Sequence, residues 1–210
     1  LRGTERFTIQ AVIDHAHAGK DAGEVMDGRP CNIPVYGKIV DALSTLKSKP
    51  KYCIVGVATV GGILPPDMLG EIRFALSQGI SIVNGLHDFL SEKPEIVALA
   101  AANNATLIDV RKPKSRADLH FWEGDIYKVT APIVAVMGMD CATGKRTTAR
   151  FLRDACRAKG HKAEMIYTGQ TGWMQGGQYG FIFDSTLNDF ISGELEHAIV
   201  SCWEETQAEV

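Results

Sequence analysis

One stretch constrains the fold of this chain more than any other: an apolar run ending in a glycine, a short loop, and Gly-Lys. The run covers residues 133–136, Gly138 follows it closely, and Gly144 with Lys145 opens the next segment. Such a run is typical of a buried parallel strand, and the apolar spacing after Lys145 is that of a helix. A strand, a glycine loop and a helix in this order predict a phosphate-binding P-loop, in which backbone N–H groups and the helix dipole converge on an anion.

The candidate phosphate-binding residues are the loop and the start of the helix after it. They are Gly138, Asp140, Cys141, Ala142, Thr143, Gly144, Lys145, Arg146, Thr147 and Thr148. Arg146 stands where Ser or Thr normally offers its hydroxyl to Mg²⁺, and a guanidinium cannot ligate a metal. Thr147 or Thr148 could take that role only if the start of the helix were shifted. The loop is therefore expected to hold phosphate groups rather than to hydrolyse them.

The composition excludes several classes of protein. The chain has 210 residues, a formal net charge of −3 and five widely spaced cysteines. This charge gives no electrostatic footprint for nucleic acid, no apolar run approaches the ~20 residues that span a bilayer, and no Cys-x-x-Cys pair indicates a metal. We expect a cytoplasmic protein with reduced thiols and no metal site, which acts on a small molecule without a nucleic-acid or membrane partner. A homo-oligomer is expected, although no residue pattern specifies it.

Strand-like and helical segments alternate along the N-terminal half. Strands are predicted at residues 8–14, 52–58, 80–84 and 105–110, and helices at 36–46, 67–78 and 95–102. This alternation predicts an α/β fold with a mostly parallel sheet and helices on both faces. Since ligands bind at the carboxyl ends of parallel strands, the loops there are candidate sites.

Five residues at these strand ends form a candidate N-terminal site: Asp14, Lys20, Gly61, Gly62 and His87. An acid at the end of a strand can bind ribose hydroxyls, but no G-x-G-x-x-G motif is present, and either a structural role or an unknown ligand is favoured for Asp14 over nicotinamide binding. Two adjacent glycines let a ligand approach the backbone or simply form a turn, and the turn is favoured.

The C-terminal half continues the pattern around the phosphate loop. The helix after Lys145 is predicted to have an apolar face, a strand is predicted at residues 163–167, and a final helix has a second apolar face. The first face is Thr148, Phe151, Leu152, Ala155 and Cys156, and the second is Leu187, Ile191, Leu195, Ala198, Ile199 and Cys202.

Polar residues after the second of these strands are expected beside the phosphate loop. Gln170 and Thr171 suit recognition of a polar ligand, and Asp184 and Asp189 flank the start of the final helix. Each aspartate has two readings, as an N-cap of that helix or as a carboxylate that binds a substrate ammonium or takes up a proton. Lys145, Asp184 and Asp189 are the candidate catalytic residues.

Motifs spread over nearly the whole chain are similar to those of the DgcN-like family. They lie at residues 13–24, 56–66, 85–90, 109–113, 138–145, 168–172, at Asp184 and at 189–193. The resemblance implies a Rossmann-like parallel-sheet N-terminal domain at 1–115, a linker at 116–129, and a P-loop NTPase-like α/β domain at 130–210. Because the family continues beyond the final helix, the second domain is expected to be truncated.

The activity implied by the resemblance is N-acetylation of an amino acid such as D-glutamate, with acetyl-CoA as the donor. Coenzyme A carries phosphates that a P-loop can hold without hydrolysis, and Arg146 would be a second cation for them. Two alternatives stay open. One is an ATP- and Mg²⁺-dependent ligase or kinase resembling dethiobiotin synthetase, whose loop has five residues between its glycines, as this chain has between Gly138 and Gly144, instead of the usual four. The other is a nucleotide-binding module without chemistry.

Overall fold

The structure is a computed structural model that describes residues 3–57, 59–140 and 143–210. The chain divides into two compact units, Leu1–Lys112 and Pro113–Val210.

The described residues of the first unit form two parallel sheets. Strand β1 (Val12–Ile13) pairs with β2 (Val35–Tyr36). In the larger sheet, β4 (Ser81–Asn84) lies between β3 (Tyr52–Val55) and β5 (Leu107–Asp109). Because β4 has a partner on each side, its residues are buried throughout. The parallel α/β prediction for this unit is confirmed.

The described part of the first unit contains the helices α1 (Ala22–Asp27), α2 (Ile39–Thr45), α3 (Pro66–Ser77) and α4 (Pro94–Ala102). Prolines begin α3 and α4, where the missing N–H is not needed by the helix. The core of the unit is aliphatic and combines residues from α3, β4, α4 and the short turn Leu90–Glu92 that precedes α4. It includes Ile72, Leu76, Ile82, Leu90 and Ile96, each at most 3% exposed.

Local signals located α2, α3 and α4 to within a few residues, with one error of type. Tyr36 was predicted to start a helix, but it belongs to β2 and pairs with Ile13, and α2 begins only at Ile39. Helix α1 was not predicted from the sequence. It is short, and the side chain of Asp21 caps it by accepting the N–H groups of Gly23 and Glu24.

The second unit is mainly helical in the described residues, with α5 (Lys145–Ala158), α6 (Gln170–Met174) and α7 (Ile191–Thr206). The strand predicted at residues 133–136 is wrong: no strand is assigned there among the described residues, and Ile133 is 56% exposed. An apolar run becomes a strand only when a neighbouring strand supplies hydrogen bonds, and no described residue does so here.

Two further predictions in this unit need correction. The strand predicted at 163–167 is reduced to a single parallel bridge between Tyr167 and Gly180. The predicted apolar face of α5 is not buried, and Phe151 on it is 70% exposed. These apolar side chains follow the predicted spacing, but the described residues do not cover them.

The buried face of α7 also differs from the prediction. Leu195 is exposed, whereas Glu194 and Glu196 are buried. Both carboxylates contact residues 113–128, here called the connecting segment, which includes most of the predicted linker. This segment belongs to the second unit and packs along α7.

Candidate functional site

The phosphate loop leads directly into α5. Gly144 has φ +94°, which favours glycine, and it precedes the first residue of the helix. Lys145 directs its ammonium back to the loop, where it donates to the carbonyl of Asp140 and, at 3.3 Å, to the hydroxyl of Thr143. The candidates Cys141 and Ala142 lie outside the described residues. The lysine therefore lies over the loop that was predicted to hold phosphate.

Gly138 is required by the way this loop folds. A Cβ added to it would lie 2.7 Å from the hydroxyl of Thr143 and 3.0 Å from Cγ of Lys145. The first distance is shorter than real side chains show and the second is unusually tight, so a larger residue would displace Thr143 or Lys145. The glycine before the loop and the lysine after it are thus in contact.

The start of α5 is strongly cationic. Lys145 and Arg146 lie in the first turn with no acidic residue, and Arg150 follows one turn later. Burial lowers the pKa of Arg146, and the positive charge of Arg150 lowers it further. Cations at a helix N-terminus oppose the helix dipole, so this arrangement is unfavourable unless an anion lies there. Thr147 and Thr148 continue the helix from this end.

The loop after residue 167 is built around one aromatic ring. A Cβ on Gly172, Gly177 or Gly180 would collide with Tyr167 in each case. The glycine-rich segment is therefore explained by close packing on Tyr167. Gln170 and Thr171, predicted to face a ligand, begin α6 at this loop.

The two candidate aspartates lie in short turns before α7. Asp184 is in the turn Phe183–Ser185 and Asp189 in the turn Asn188–Phe190, and both are exposed. The N-cap reading is wrong for both, because the N-cap of α7 is Phe190 and no side chain caps it.

In the first unit, Asp14 follows β1 and binds its own loop. Its carboxylate accepts the N–H of Ala16 at 2.9 Å and contacts Nδ1 of His17 at 2.7 Å. The hydrogen bond from His17 lowers the pKa of Asp14. These contacts agree with the structural role, one of the two that the sequence favoured. Lys20, six residues after Asp14, is exposed.

The other N-terminal candidates meet at the end of the larger sheet. Gly61 and Gly62 both have φ +67° and form a turn, and the carbonyl of Gly62 accepts the N–H of His87 at 3.1 Å. A Cβ on Gly62 would lie 2.7 Å from the His87 ring. Arg111 contacts Nε2 of His87 at 2.5 Å. The turn reading therefore accounts for both glycines, and His87 with Arg111 forms a polar pair beside them.

The carboxylate of Glu194, in the second unit, accepts several hydrogen bonds, and this residue was not predicted as a site residue. Oε2 of Glu194 accepts the ammonium of Lys114 at 2.7 Å, and Oε1 accepts the backbone N–H of His120 at 3.0 Å and its ring Nδ1 at 2.8 Å. Burial raises the pKa of Glu194, but the hydrogen bonds from Lys114 and His120 outweigh it and leave the pKa below its usual value.

A second histidine completes this cluster. The ring of His197, on α7, stacks on that of His120 with centroids 3.6 Å apart and an interplanar angle of 7°. Burial lowers the pKa of His197, and the nearby His120 lowers it further. The available sequence signal was weak: two glutamates interrupting the apolar pattern of α7, and two histidines 77 positions apart, at 120 and 197.

Neither a metal centre nor a membrane segment is found in the part of the chain that the structure describes. No group of three or more His, Cys, Asp or Glu side chains there has the geometry to hold a metal ion. No described helix combines the length and apolar character needed to cross a bilayer.

Two domain families match the chain. Residues 15–113 match DUF1611_N, a domain of unknown function described as Rossmann-like, and residues 120–210 match DUF1611_C, a domain of unknown function described as a P-loop domain. The predicted combination of a Rossmann-like N-terminal and a P-loop C-terminal domain is confirmed.

Similar proteins include two curated relatives, both named D-glutamate N-acetyltransferase. The one from a Pseudoalteromonas species is 34% identical over 146 residues, which are 70% of this chain and 42% of the relative. The one from Tritonibacter scottomollicae is 32% identical over 147 residues, 70% of this chain and 43% of the relative. The chain thus spans less than half the length of these relatives.

A solved structure has the same fold. The crystal structure of a DUF1611 family protein from Anabaena variabilis matches 99% of this chain and 57% of its own, with a TM-score of 0.85 and 32% sequence identity.

Proposed function

Because the chain belongs to the DUF1611 family by both of its domains, we propose that it acts in an N-acetyltransferase that moves the acetyl group of acetyl-CoA to the amino group of an amino acid. D-Glutamate is the first acceptor to test, since both curated relatives are named for it. The resemblance noted from the sequence supports the same activity.

The observation that carries the proposal is the chemistry at the start of α5. The loop leads into a helix that begins with Lys145 and Arg146 and has no acidic residue in its first turn. This arrangement suits a ligand with several phosphate charges. The pyrophosphate and 3′-phosphate of coenzyme A are such a ligand. A guanidinium at position 146 adds charge to the loop but removes the hydroxyl that ordinarily ligates Mg²⁺.

Acetyl transfer needs two further groups. A donor must stabilise the thioester oxygen as it gains charge, and Lys145 with the N–H groups of its loop is our candidate. A carboxylate must bind the ammonium of the acceptor, and Asp184 or Asp189 fits that role because both are exposed beside the start of α7.

Substituting Lys145 tests whether the loop binds the phosphates of coenzyme A. In the complete gene product, Lys145→Ala should weaken CoA binding by about 10- to 100-fold, because a hydrogen bond to a charged group contributes about 1.5–3 kcal/mol. Lys159→Ala is the matched control, since Lys159 lies at the other end of the same helix. Titration calorimetry without Mg²⁺ measures both; equal affinities in the two variants would remove the loop from the proposal.

Product formation decides between the alternatives. Release of the free CoA thiol on mixing acetyl-CoA with D-glutamate supports acetyl transfer, and its absence across a panel of D- and L-amino acids overturns it. Mg²⁺-dependent ATP turnover would support the ligase or kinase instead. Tight ligand binding with no product from any substrate pair would favour the binding module.

A further inference from the structure

A buried carboxylate holds an exposed histidine at the junction of α7 and the connecting segment. The side chain of Glu194 is 1% exposed and that of His120 is 42% exposed, and they meet at Nδ1. A carboxylate of this kind, with its pKa below the usual value, only accepts hydrogen bonds. Neutral His120 must therefore carry its proton on Nδ1, which leaves the lone pair on Nε2 to accept a proton.

Glu196, two positions after Glu194, holds the connecting segment through hydrogen bonds to backbone N–H groups. Glu196 accepts the backbone N–H groups of Glu123 at 2.7 Å and Ile126 at 3.1 Å, and these two bonds hold the connecting segment on α7. Glu194 makes one such bond, to the N–H of His120. Its other two partners are side chains, His120 and Lys114, which are 42% and 47% exposed. Anchoring alone does not need these ionisable partners.

The histidine lies beside the candidate acceptor site. Gly193, in the first turn of α7, packs against the backbone carbonyl of His120, and the ring of Phe121 lies 4.2 Å from that of Phe190. Asp189 directly precedes Phe190. The backbone of His120 therefore lies against the first turn of α7, and Asp189, a proposed ammonium-binding residue, lies two positions before that helix.

We propose that His120, oriented by Glu194, is the general base that takes the proton from the amino group of the acceptor. The inference rests on the acetyltransferase function proposed above. His120 is then a catalytic residue, because its Nε2 touches the reacting amine, and Glu194 is a positioning residue.

The proton and electron balance of the step is complete without another reactant. The ammonium gives one proton to Nε2 of His120, which passes it to solvent, and the freed lone pair forms the C–N bond with the thioester carbonyl carbon. The C–S bond then breaks, and the electron pair leaves on sulfur. The second proton released from nitrogen goes to that thiolate, so CoA leaves as the thiol and the amide is neutral.

Among the described residues, the ionisable groups around His120 are Glu194, which binds its ring, His197, which stacks on it, and Lys114, which binds the same carboxylate. Glu194 stabilises the imidazolium that forms when His120 takes a proton. Lys114 opposes it, and so does His197 when protonated. The lowered pKa of His197 keeps that ring neutral at neutral pH, so the stack adds no second cation there.

The test is the variant His120→Asn in the complete gene product. An asparagine amide can overlay Nδ1 of histidine and keep the hydrogen bond to Glu194, but it has nothing in place of Nε2. We expect kcat for acetyl transfer to fall by about 10²–10⁴-fold, the usual contribution of a general base, with an unchanged KM for acetyl-CoA. The difference in kcat between the variant and the wild type should shrink as the pH approaches the pKa of the acceptor's amino group, because the acceptor then loses its proton to solvent without a general base.

Three further variants keep the test decisive if His120→Asn folds poorly. Imidazole added to His120→Gly should restore activity in proportion to its concentration. Glu196→Gln loosens the same segment and should leave the pH profile of kcat unchanged, whereas Glu194→Gln should move its acidic limb to lower pH.

The proposal is overturned if His120→Asn retains activity within a few fold. It is also overturned if its loss is the same at every pH and equals that of Glu196→Gln. These outcomes presuppose an active wild type, so they are distinct from failure of the proposed function, in which the wild type itself transfers no acetyl group.

Discussion

Between β1 and β2, a single side chain accepts hydrogen bonds from backbone N–H groups that no described strand binds. The carboxylate of Asp21 accepts four N–H groups, from Gly23, Glu24, Cys31 and Ile33, at 2.8–3.3 Å. The hydrogen bond from Cys31 is the largest cause that lowers the pKa of Asp21 to about 2. One charged side chain thus organises residues 21–33 between β1 and β2.

This bonding predicts a pH dependence of stability. Because the pKa of Asp21 in the folded protein lies below the ordinary aspartate pKa of about 3.9, its stabilisation is present above about pH 4 and is lost as the pH falls toward 2. Asp21→Asn should lower the melting temperature at neutral pH and flatten its decline between pH 4 and 2. Asp67→Asn, at an exposed aspartate, is the control. A variant that melts with the wild-type pH dependence would contradict the assignment.

Helix α7 is held in place by its contacts with the connecting segment. Gly193 lets the backbone of His120 and Phe121 approach α7, while Glu194 and Glu196 bind the connecting segment. The charges are buried, but each is compensated by at least two hydrogen bonds, as buried carboxylates require.

Two helical glycines should therefore respond in opposite ways to alanine. At Gly193 the added Cβ would collide with the carbonyl of His120, so Gly193→Ala should destabilise the protein by more than about 1 kcal/mol. At Gly70, in α3, nothing lies within 4 Å, so Gly70→Ala should stabilise it by about 0.5–1 kcal/mol through helix propensity. Urea unfolding of both variants measures the difference. A stabilised Gly193→Ala would show that α7 does not need this close approach.

Elements differ in how far local sequence predicts them. Pro66 and Pro94 at helix starts, Gly79 after α3 and the apolar run of β4 are local signals, and the structure has the predicted elements there. Residues 133–136 have an equally clear apolar pattern but form no strand, because strand formation requires a partner. Helix α5 was predicted together with its start, since a helix satisfies its own backbone hydrogen bonds.

Across the whole molecule, burial is unequal between the two units. The three-stranded sheet and its helices bury an aliphatic core, with Ile82 and Val83 fully buried in β4. In the second unit, Val134, Met137 and Phe151 are mostly exposed.

This contrast predicts the pattern of amide hydrogen exchange. In the 210-residue chain, the amides of β4 should exchange most slowly, because they are buried and hydrogen-bonded between two strands. Residues 130–140 should exchange fastest among the described parts of the second unit. Exchange measured by mass spectrometry checks this, and protection of 130–140 equal to that of β4 would show that the run has a backbone partner.

Sequence alone determined most strands and helices of the first unit, the P-loop pattern and the helix after it, because each is encoded by residues that are close together in the chain. It did not identify β2 or α1. The sequence also identified the family, through motifs spread along the chain. Only the tertiary structure decided that the apolar run before the loop stays exposed and that Glu194 is buried against His120. Glu194 and His120 are 74 positions apart. Their pairing depends on how α7 and the connecting segment pack, which no local pattern records.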